Sequence, residues 1–285
     1  MKARRFLAIG VLACLVGLVL AGAAEDRRPD TAKVAKYVRF QVGQTIAYGM
    51  IEGDRVRQLA GDLFQGWSKT EKTSALDEVK LLVPATPSKI LALAGNYRSH
   101  VATQPATAHP EVFFKPPSAL VADGGEIVIP TGTNEVHYEA ELVIVIGRRA
   151  RNVSVEEAPK YVLGVTCGND VSARDWQQND RQWWRAKGCD TFAPCGPVIV
   201  SGLNYDDLLV ELRLNGEVRQ SERTSAMVHG VAATVSWISR HVTLEPGDLI
   251  YTGTSGKTGA IKPGDVVEVT IEGVGRLKNR VAASE

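Results

Sequence analysis

Residues 137–147, which read His-Tyr-Glu-Ala-Glu-Leu-Val-Ile-Val-Ile-Gly, constrain the fold more than any other part of this chain. The β-branched run and the closing glycine are typical of a buried strand rather than a helix. Because side chains alternate along a strand, His137, Glu139 and Glu141 share one face, which continues into the apolar run. Two glutamates therefore point toward a core, where an unpaired carboxylate would cost several kcal/mol.

These glutamates need protonation, basic partners or a cation, unless the strand lies at a sheet edge with its polar face in water. A third carboxylate favours the cation, because residues 162–168 predict a short strand and Asp170 follows it. Three acidic donors completed by water are an arrangement that hard cations prefer. Glu139, Glu141 and Asp170 are therefore candidate ligands for Mg²⁺, with Mn²⁺ or Ca²⁺ as substitutes and zinc disfavoured.

The beginning of the chain has the composition of a targeting segment. Residues 1–5 are basic, residues 6–20 form an uninterrupted apolar run, and small residues follow before a charged stretch. This order predicts a secretory signal peptide over residues 1–24, and hence a periplasmic or secreted protein. An uncleaved membrane anchor is the alternative, since the apolar run is nearly long enough to span a bilayer. Residues 25–37 are predicted to be a linker.

Composition and cysteine content narrow the class of protein. The formal net charge of +1 and the 44% of hydrophobic residues are ordinary for a globular protein, and no basic patch points to nucleic acid. Removing the leader removes Cys14 and leaves Cys167, Cys189 and Cys195. An odd number without a C-x-x-C motif does not indicate a disulfide framework. An oxidising compartment would permit one bond, for which Cys189 and Cys195 are the candidate pair, and buried thiols are the alternative.

A small β domain is predicted after the linker. Apolar or alternating runs at 38–42, 47–51 and 55–59 are separated by short turns, some carrying glycine, a pattern typical of a β meander. A proline-punctuated stretch then marks a boundary. The chain is therefore predicted to divide into an N-terminal β domain, residues 38–87, and a larger domain, residues 88–285, which carries the three carboxylates.

Four polar side chains of the larger domain are candidates for chemistry. His100 follows a predicted strand at 89–95 and could be a general base, although an isolated histidine is more often a solvent-facing loop residue. Arg174 and Gln177 are one helical turn apart and share a face, for which a structural ion pair and a surface amide are the simpler interpretation. Lys187, taken alone, is an exposed cation.

The remainder of the chain is predicted to be β-rich, with one amphipathic helix at 227–240 where apolar residues recur at helical spacing. The glycine-rich stretch 252–259 lacks the G-x-x-x-x-G-K-[ST] spacing, which excludes a phosphate-binding loop of that type. Trp176, Trp183 and Trp184 are dense for a chain with few aromatic residues. They fit core packing or a dimer contact better than a pocket wall.

Six motifs resemble, in their order and approximate spacing, those of the fumarylacetoacetate hydrolase family, and the resemblance extends from about Val38 to Val281. They are Gly-Asn-Tyr-Arg-Ser-His at 95–100, Phe-Phe-Lys-Pro-Pro-Ser-Ala-Leu at 113–120, His-Tyr-Glu-Ala-Glu-Leu at 137–142, Gly-Asn-Asp-Val-Ser-Ala-Arg-Asp-Trp-Gln at 168–177, Lys-Gly-Cys-Asp-Thr-Phe at 187–192 and Thr-Gly-Thr at 252–254. The resemblance implies a β-rich α+β fold, a fumarylacetoacetate hydrolase-like mixed β-sandwich roll beside a small N-terminal β domain.

The same resemblance implies a role for each candidate residue. The three carboxylates match the family's E-x-E pair and aspartate, which bind a catalytic divalent metal. His100 matches a catalytic histidine, and Lys187 matches the active-site lysine that meets a substrate oxyanion. Three further positions would bind the substrate, Arg174 by its charge, Gln177 by its amide and Thr254 by its hydroxyl. Family members commonly pair through the catalytic domain, so a homodimer is expected.

The chain departs from the family pattern at two places. Hydrolases of the family usually carry a glutamate three residues after the histidine, where this chain has Thr103, and a base normally needs an acceptor that orients its second nitrogen. Residues 255–260 also lack the usual proline and G-V-G.

We therefore expect a metal-dependent enzyme that isomerises or decarboxylates a small 2,4-diketo or 2-hydroxydienoate dicarboxylate through a metal-stabilised enolate. C–C bond hydrolysis of the acylpyruvate or fumarylacetoacetate type is the first alternative, because metal polarisation stabilises the same intermediate. An exported protein that binds carboxylates without turnover is the second.

Overall fold

The structure, a computed structural model, describes residues 34–101 and 107–284. The predicted signal peptide and most of the predicted linker lie outside these residues, and so do Cys14 and Thr103. Cleavage and export therefore stay predictions. Among the described helices, none has both the length and the apolar character needed to cross a membrane.

Strands make up most of the described chain. They are β1 (Ala35–Val42), β2 (Thr45–Glu52), β3 (Arg55–Asp62), β4 (Gly66–Ala75), β5 (Lys80–Leu81), β6 (Ile90–Ala94), β7 (Glu111–Lys115), β8 (Leu120–Val121), β9 (Glu126–Ile129), β10 (Val136–His137), β11 (Ala140–Ile146), β12 (Val162–Asn169), β13 (Ser172–Ala173), β14 (Ala193–Ser201), β15 (Leu209–Leu214), β16 (Glu217–Arg223), β17 (Leu249–Tyr251), β18 (Val266–Ile271) and β19 (Gly275–Ala283). The α-helices are α1 (Arg98–Val101), α2 (Arg174–Asn179), α3 (Trp184–Gly188) and α4 (Val231–His241), and 3₁₀ turns lie at Leu76–Glu78, Pro117–Ala119, Ala158–Tyr161 and Thr224–Ala226.

Two β-sheets pack face to face. The larger sheet has the strand order β4-β3-β2-β1-β14-β12-β11-β17-β6-β7, with β5 beside β1 and β8 beside β14. The smaller sheet has the order β16-β15-β18-β19-β9, and its strands β15, β18 and β19 pack against β11, β12 and β14. Most pairs are antiparallel, while β17 with β6, β14 with β8 and β19 with β9 are parallel. The predicted β-rich α+β fold with mixed sheets is confirmed.

Strand β11 lies inside the larger sheet with both of its faces covered. All seven of its residues are buried. Leu142, Ile144 and Ile146 belong to the apolar core that includes the smaller sheet, whereas Val143 and Val145 belong to a second core on the opposite face. A strand buried on both faces requires the continuous apolar run that the sequence shows. The alternative of a sheet-edge strand with one face in water is therefore wrong.

The N-terminal strands β1 to β4 form a meander that extends the larger sheet. The predicted strands at 38–42, 47–51 and 55–59 lie inside β1, β2 and β3. Strand β1 begins earlier than predicted, inside the predicted linker, because Ala35 pairs with Ser201 of β14. Strand β4 was not predicted, since its sequence GWSKTEKTSA is polar and exposes many side chains.

Two smaller expectations differ from the structure. The helix predicted at 227–240 begins only at Val231, because Gly230 is extended at its N-cap and Val228 instead donates its backbone N–H to the Asn96 carbonyl. The three described cysteines are all free thiols, so Cys189 and Cys195 form no disulfide. Burial raises the pKa of the Cys195 thiol to about 12, which makes it a poor nucleophile.

Gly164 of β12 tests how closely β12 and β14 approach. A Cβ atom at this position would lie 2.4 Å from the Val200 carbonyl oxygen, which belongs to backbone and cannot move without disturbing the ladder. We expect Gly164→Ala to lower the free energy of unfolding by roughly 1–3 kcal/mol, measured by chemical denaturation. The exposed β3 residue Ala60, changed to Ser, is the control and should stay within about 0.5 kcal/mol of wild type. Equal stability of the two variants would contradict the close approach.

Candidate metal-dependent active site

Three buried carboxylates meet at the adjoining ends of β11 and β12. Antiparallel pairing sets Ala140 opposite Asn169 and Glu141 opposite Gly168, which brings Asp170 beside the E-x-E pair. Glu139, Glu141 and Asp170 each offer a carboxylate oxygen, and these oxygens lie within 4.8 Å of one another. The three residues, called the acidic triad below, are at most 4% exposed. The predicted cluster is therefore present as a compact, solvent-shielded group.

Asn169 holds the two strand ends in register at the acidic triad. Its side-chain oxygen accepts a hydrogen bond from the Glu139 backbone N–H at 2.8 Å, and the Asp170 N–H donates to the Glu139 carbonyl at 2.9 Å. Both hydrogen bonds involve the Glu139 backbone, just before the first residue of β11. Sequence reasoning assigned no role to Asn169, although an amide next to a predicted ligand is a signal for such bracing.

Three basic side chains surround the acidic triad. Lys187 Nζ lies 2.9 Å from Glu139 Oε2 and 2.6 Å from Asp170 Oδ2. Lys115 Nζ pairs with the other oxygen of Asp170, and Arg174 Nη2 pairs with Glu139 Oε1. These three residues are called the basic triplet below. The exposed-cation interpretation of Lys187 is wrong, since its side chain is only 3% exposed.

Lys115 is a member of this cluster that sequence reasoning missed. It ends β7, its side chain is fully buried, and its ammonium also donates to the Lys187 backbone carbonyl. The sequence signal for this residue was a lysine at the end of a short apolar strand, directly before two prolines. Lys115 thereby ties the strand that carries it to the helix that carries Lys187.

The members of the acidic triad have opposite electrostatic environments. Burial alone would raise the pKa of Glu139, but Lys187 and Arg174, and more weakly His100, lower it to about 2. Burial, followed by the charges of Asp170 and Glu139, raises the pKa of Glu141 well above its ordinary value of 4.5. The cluster therefore holds one firmly ionised glutamate beside one that favours its protonated form.

Glu141 also carries the atom that best fits a cation. Its Oε2 accepts a hydrogen bond from the Gly253 N–H at 2.7 Å, whereas its Oε1 is buried and has no hydrogen-bond partner among the described residues. Buried polar atoms are rarely left without a partner. A hard divalent cation bound by the acidic triad would satisfy Oε1 and would favour the ionised form of Glu141. The donor set therefore fits Mg²⁺, Mn²⁺ or Ca²⁺.

Arg174 connects the acidic triad to α2 and to the glycine-rich loop, residues 252–259. Its Nη1 donates to Gln177 Oε1 at 2.7 Å, and its Nη2 donates to Thr258 Oγ1 at 2.8 Å. The predicted shared face of Arg174 and Gln177 is confirmed. His137 does not join the carboxylates as alternation predicted, because the chain leaves β10 after it and its ring contacts Thr258 and Glu135 instead.

His100 lies in the short helix α1, and the glycine-rich loop contacts its ring. The His100 Nδ1 atom is 2.7 Å from the Gly256 carbonyl oxygen. Thr254, the predicted substrate donor, is 3% exposed and its hydroxyl donates to the Ala140 carbonyl at 3.0 Å, while Gln220 Nε2 donates to it. The proton of the Thr254 hydroxyl is therefore used inside the protein, and Gln220 is a further residue that sequence reasoning missed.

Comparisons with known proteins identify the family of this chain. The family model described as "Fumarylacetoacetate (FAA) hydrolase C-terminal" matches residues 89–282, and the model "Rv2993c-like, N-terminal" matches residues 35–84. Protein Rv2993c of Mycobacterium tuberculosis is 44% identical over 248 residues, which are 83% of this chain and 94% of that protein. The chain belongs to the fumarylacetoacetate hydrolase family.

Two further family members carry names that describe reactions. The mitochondrial oxaloacetate tautomerase FAHD2A of Bos taurus is 39% identical over 219 residues, covering 72% of this chain and 70% of that protein. A crystal structure of 2-hydroxyhepta-2,4-diene-1,7-dioate isomerase from Mycobacterium marinum matches with a TM-score of 0.82 and 42% identity, covering 88% of this chain and 99% of that one. The fumarylacetoacetate hydrolase family comprises enzymes, and this chain is one of them.

An open cavity has Phe113, a neighbour of Lys187, in its wall. Its volume is about 370 Å³, and its walls include Phe113, Arg181, Trp183 and Trp184. The Phe113 ring lies 5.2 Å from Lys187 Nζ and meets the Trp183 ring edge to face. Trp184 is 72% exposed, so core packing, one of the predicted roles of the tryptophans, is wrong for it.

The raised pKa of Glu141 predicts how stability changes with pH when metal is removed. A carboxyl group whose pKa is higher in the folded than in the unfolded state stabilises the folded protein most at a pH below its ordinary pKa of 4.5. This stabilisation is lost as the pH rises from there through the raised pKa. Glu141→Gln keeps an acceptor for the Gly253 N–H and does not titrate. In EDTA we expect this variant to exceed wild type by on the order of 1–3 kcal/mol at pH 7.

The measurement is chemical denaturation of both proteins across a pH series. The stability difference should be small near pH 4 and grow toward pH 7. A difference that shrinks as the pH rises would show that Glu141 is not the group disfavoured by ionisation.

Metal binding to the acidic triad predicts a stability gain that depends on Glu141. With Mg²⁺ or Mn²⁺ about 100-fold above its Kd, wild type should gain about 2.7 kcal/mol, seen as a rise in Tm. Glu141→Gln should gain little, because a site with less negative charge binds hard cations weakly. Glu71→Gln, at an exposed glutamate far along the chain, should respond like wild type. A wild-type Tm indifferent to millimolar Mg²⁺, Mn²⁺ and Ca²⁺ would remove the assignment of all three ligands.

Proposed function

We propose that this enzyme is a divalent-metal-dependent keto–enol isomerase of a small 2-oxo or 2-hydroxydienoate dicarboxylate, with oxaloacetate as the first candidate. The observation that supports it most is the pairing of the acidic triad with the basic triplet. The names of the bovine tautomerase and the mycobacterial isomerase agree with it. Decarboxylation of a β-keto acid requires the same enolate and is the nearest related reaction.

The charge of the site favours a dianionic substrate. Both carboxylate oxygens of Glu139 and both of Asp170 already pair with basic groups. When the acidic triad is fully ionised, its negative charge equals the positive charge of the basic triplet. The charge of a divalent cation would then be left uncompensated. A substrate with two carboxylates supplies the matching charge, and a shielded site strengthens that attraction relative to water.

The acidic triad would hold the metal, and a bound cation would supply Lewis-acid polarisation of the keto oxygen and an adjacent carboxylate oxygen. The chain's own residues supply the rest. Lys187 Nζ would donate a hydrogen bond to the enolate oxygen. Burial lowers the pKa of Lys187, but the charges of Asp170 and Glu139 outweigh it and raise the pKa, which supports a charged donor. The cavity lined by Phe113 and Trp183 accepts the far end of the substrate.

His100 moves the proton. Its Nε2 removes a proton from the carbon next to the keto group, the electron pair of that C–H bond forms the C=C bond, and the π electron pair of the C=O bond moves onto the oxygen. His100 then gives the proton to that oxygen, which yields the enol, so no water and no further reactant is consumed. An orienting carboxylate at position 103 is absent in sequence, which favours this proton transfer over hydrolysis, since hydrolysis also requires an activated water.

Two other functions remain as alternatives. Hydrolysis of an acylpyruvate or fumarylacetoacetate would use the same metal and lysine. Capture of a carboxylate without turnover would follow if His100 were not active. Export by the N-terminal segment and assembly into a homodimer are further proposals, for which the targeting composition of residues 1–24 and the exposed Trp184 are the support.

The assay compares interconversion of enol and keto oxaloacetate, loss of CO₂ from oxaloacetate, isomerisation of 2-hydroxyhepta-2,4-dienedioate and hydrolysis of acylpyruvates, each with and without EDTA. We expect metal-dependent tautomerisation or isomerisation to be fastest. His100→Gln should lower its kcat by roughly 10²–10⁴-fold, whereas His241→Gln, at an exposed histidine of α4, should not. Fast C–C hydrolysis would favour the first alternative, and tight binding without product the second.

A further inference from the structure

Two consecutive residues of α1 hold Gly256 of the glycine-rich loop from both sides. The Ser99 Oγ accepts a hydrogen bond from the Gly256 N–H at 3.0 Å, and His100 Nδ1 lies 2.7 Å from the Gly256 carbonyl oxygen. The Ser99 hydroxyl in turn donates to Glu222 Oε2 of β16. The residues that form this chain of contacts are Ser99, His100, Glu222 and Gly256, and they are called the clamp below. The clamp links α1, which carries the base, to the glycine-rich loop and to β16 of the smaller sheet.

The clamp determines which nitrogen of His100 carries the proton. A carbonyl oxygen only accepts hydrogen bonds, so the His100 Nδ1 that contacts it must be the protonated nitrogen. In a neutral imidazole the other nitrogen, Nε2, then has a free electron pair. That nitrogen is the one able to take a proton from a substrate.

We propose that Ser99 and Glu222 are positioning residues that hold the Gly256 carbonyl against His100 Nδ1. The carbonyl then orients the ring in place of the carboxylate that is absent at position 103. The proposal rests on the proposed function for the role of His100 as the base. The tautomer and the hydrogen bonds themselves do not depend on which reaction the enzyme performs.

The geometry of the glycine-rich loop explains why such a clamp is needed. Gly256 has φ +58°, the left-handed region that glycine occupies readily. Its two chain neighbours aside, no described residue has an atom within 4 Å of where its Cβ would be. It is half-buried, and its neighbour Lys257 is exposed. Gln220 Nε2 also holds the peptide group before Gly256, because it donates to the Ser255 carbonyl. The clamp adds the Ser99 bond to that peptide group and holds the peptide group after Gly256 through His100. Holding both its N–H and its carbonyl restricts φ and ψ together.

A buried residue, Asn96, already joins the beginning of the segment that carries His100 to the beginning of the glycine-rich loop. The Asn96 side chain, 1% exposed, donates to the Thr252 carbonyl at 2.7 Å and to the His229 carbonyl at 3.0 Å, and accepts from the His229 N–H at 2.9 Å. Asn96 thus joins the start of the His100 segment to the start of the glycine-rich loop. The clamp joins them again at their far ends, so that helix and loop form one rigid frame around the base.

The first experiment determines the His100 tautomer in the full chain by ¹⁵N NMR of the imidazole nitrogens, without substrate, assigned by the signal missing in His100→Gln. Wild type should show the Nδ1–H form. Ser99→Ala should show a mixture of tautomers, and Ser99→Thr, which keeps the hydroxyl, should restore the wild-type signal. Ser221→Ala, at an exposed serine on the strand of Glu222, is the matched control and should be unchanged. An Nε2–H form in wild type, or no change in Ser99→Ala, would overturn the proposal.

The second experiment separates positioning from binding. Ser99→Ala and Glu222→Ala should lower kcat about 3- to 10-fold with little change in KM, the size expected for loss of one partly exposed hydrogen bond. Glu222→Gln keeps an acceptor and should fall between them and wild type. Unchanged kcat in both alanine variants would contradict a positioning role. If no variant, wild type included, has isomerase activity, the proposed function fails while the NMR result still decides the clamp.

The loop conformation offers a check that leaves Ser99 and Glu222 in place. Asn tolerates a left-handed backbone better than other residues with a side chain, whereas a β-branched residue resists it. Gly256→Asn should therefore keep the Nδ1–H tautomer, and Gly256→Val should lose it, with thermal unfolding confirming that both variants fold. The same tautomer in both would show that the Gly256 carbonyl does not orient His100.

Discussion

Three carboxylates buried side by side would destabilise any fold that did not bring positive charge or protons to them, and this constraint organises the site. Asp170 has one oxygen on Lys115 and the other on Lys187, while Glu139 meets Lys187 and Arg174. The elements that carry these cations are β7, α3 and α2, so the charge balance also fixes how those elements dock on the ends of β11 and β12. Glu141 forms no ion pair with the described residues, and its environment favours either a proton or a cation.

The strands and the ligand candidates could be predicted because their signals are local. A continuous apolar run identifies β11, and alternation along the predicted strand places Glu139 and Glu141 on one face, although Glu139 itself lies just before β11. The contribution of Lys115 could not be predicted in this way. It reaches Asp170 only because β7 pairs with β6, β6 with β17 and β17 with β11, and no local pattern specifies that order. The fold was accordingly predicted better than the basic half of the site.

The same limit explains the differences at the glycine-rich loop. The family resemblance predicted that Thr254 donates a hydrogen bond to the substrate. Tertiary contacts decide what a hydroxyl donates to, and here the Thr254 hydroxyl donates to the Ala140 carbonyl. His137 was placed with the carboxylates by alternation, which holds only while a strand continues; β10 ends at His137 and β11 begins at Ala140. In both cases a contact with chain more than 100 positions away was not predicted, the Ala140 carbonyl for Thr254 and the Thr258 hydroxyl for His137.

The chain has Thr103 where the family's hydrolases carry an acidic residue, and this difference is chemically related to the altered glycine-rich loop. A carboxylate beside a histidine does two things, since it orients the ring and it stabilises the imidazolium that forms when the base takes a proton. The Gly256 carbonyl at 2.7 Å from Nδ1 does the first and, carrying no net charge, does less of the second. A proton held less firmly is returned more readily. Isomerisation only moves a proton from carbon to oxygen, whereas hydrolysis also requires the base to activate a water. Under the proposed function, a backbone carbonyl in place of a carboxylate therefore suits this histidine to isomerisation better than to hydrolysis.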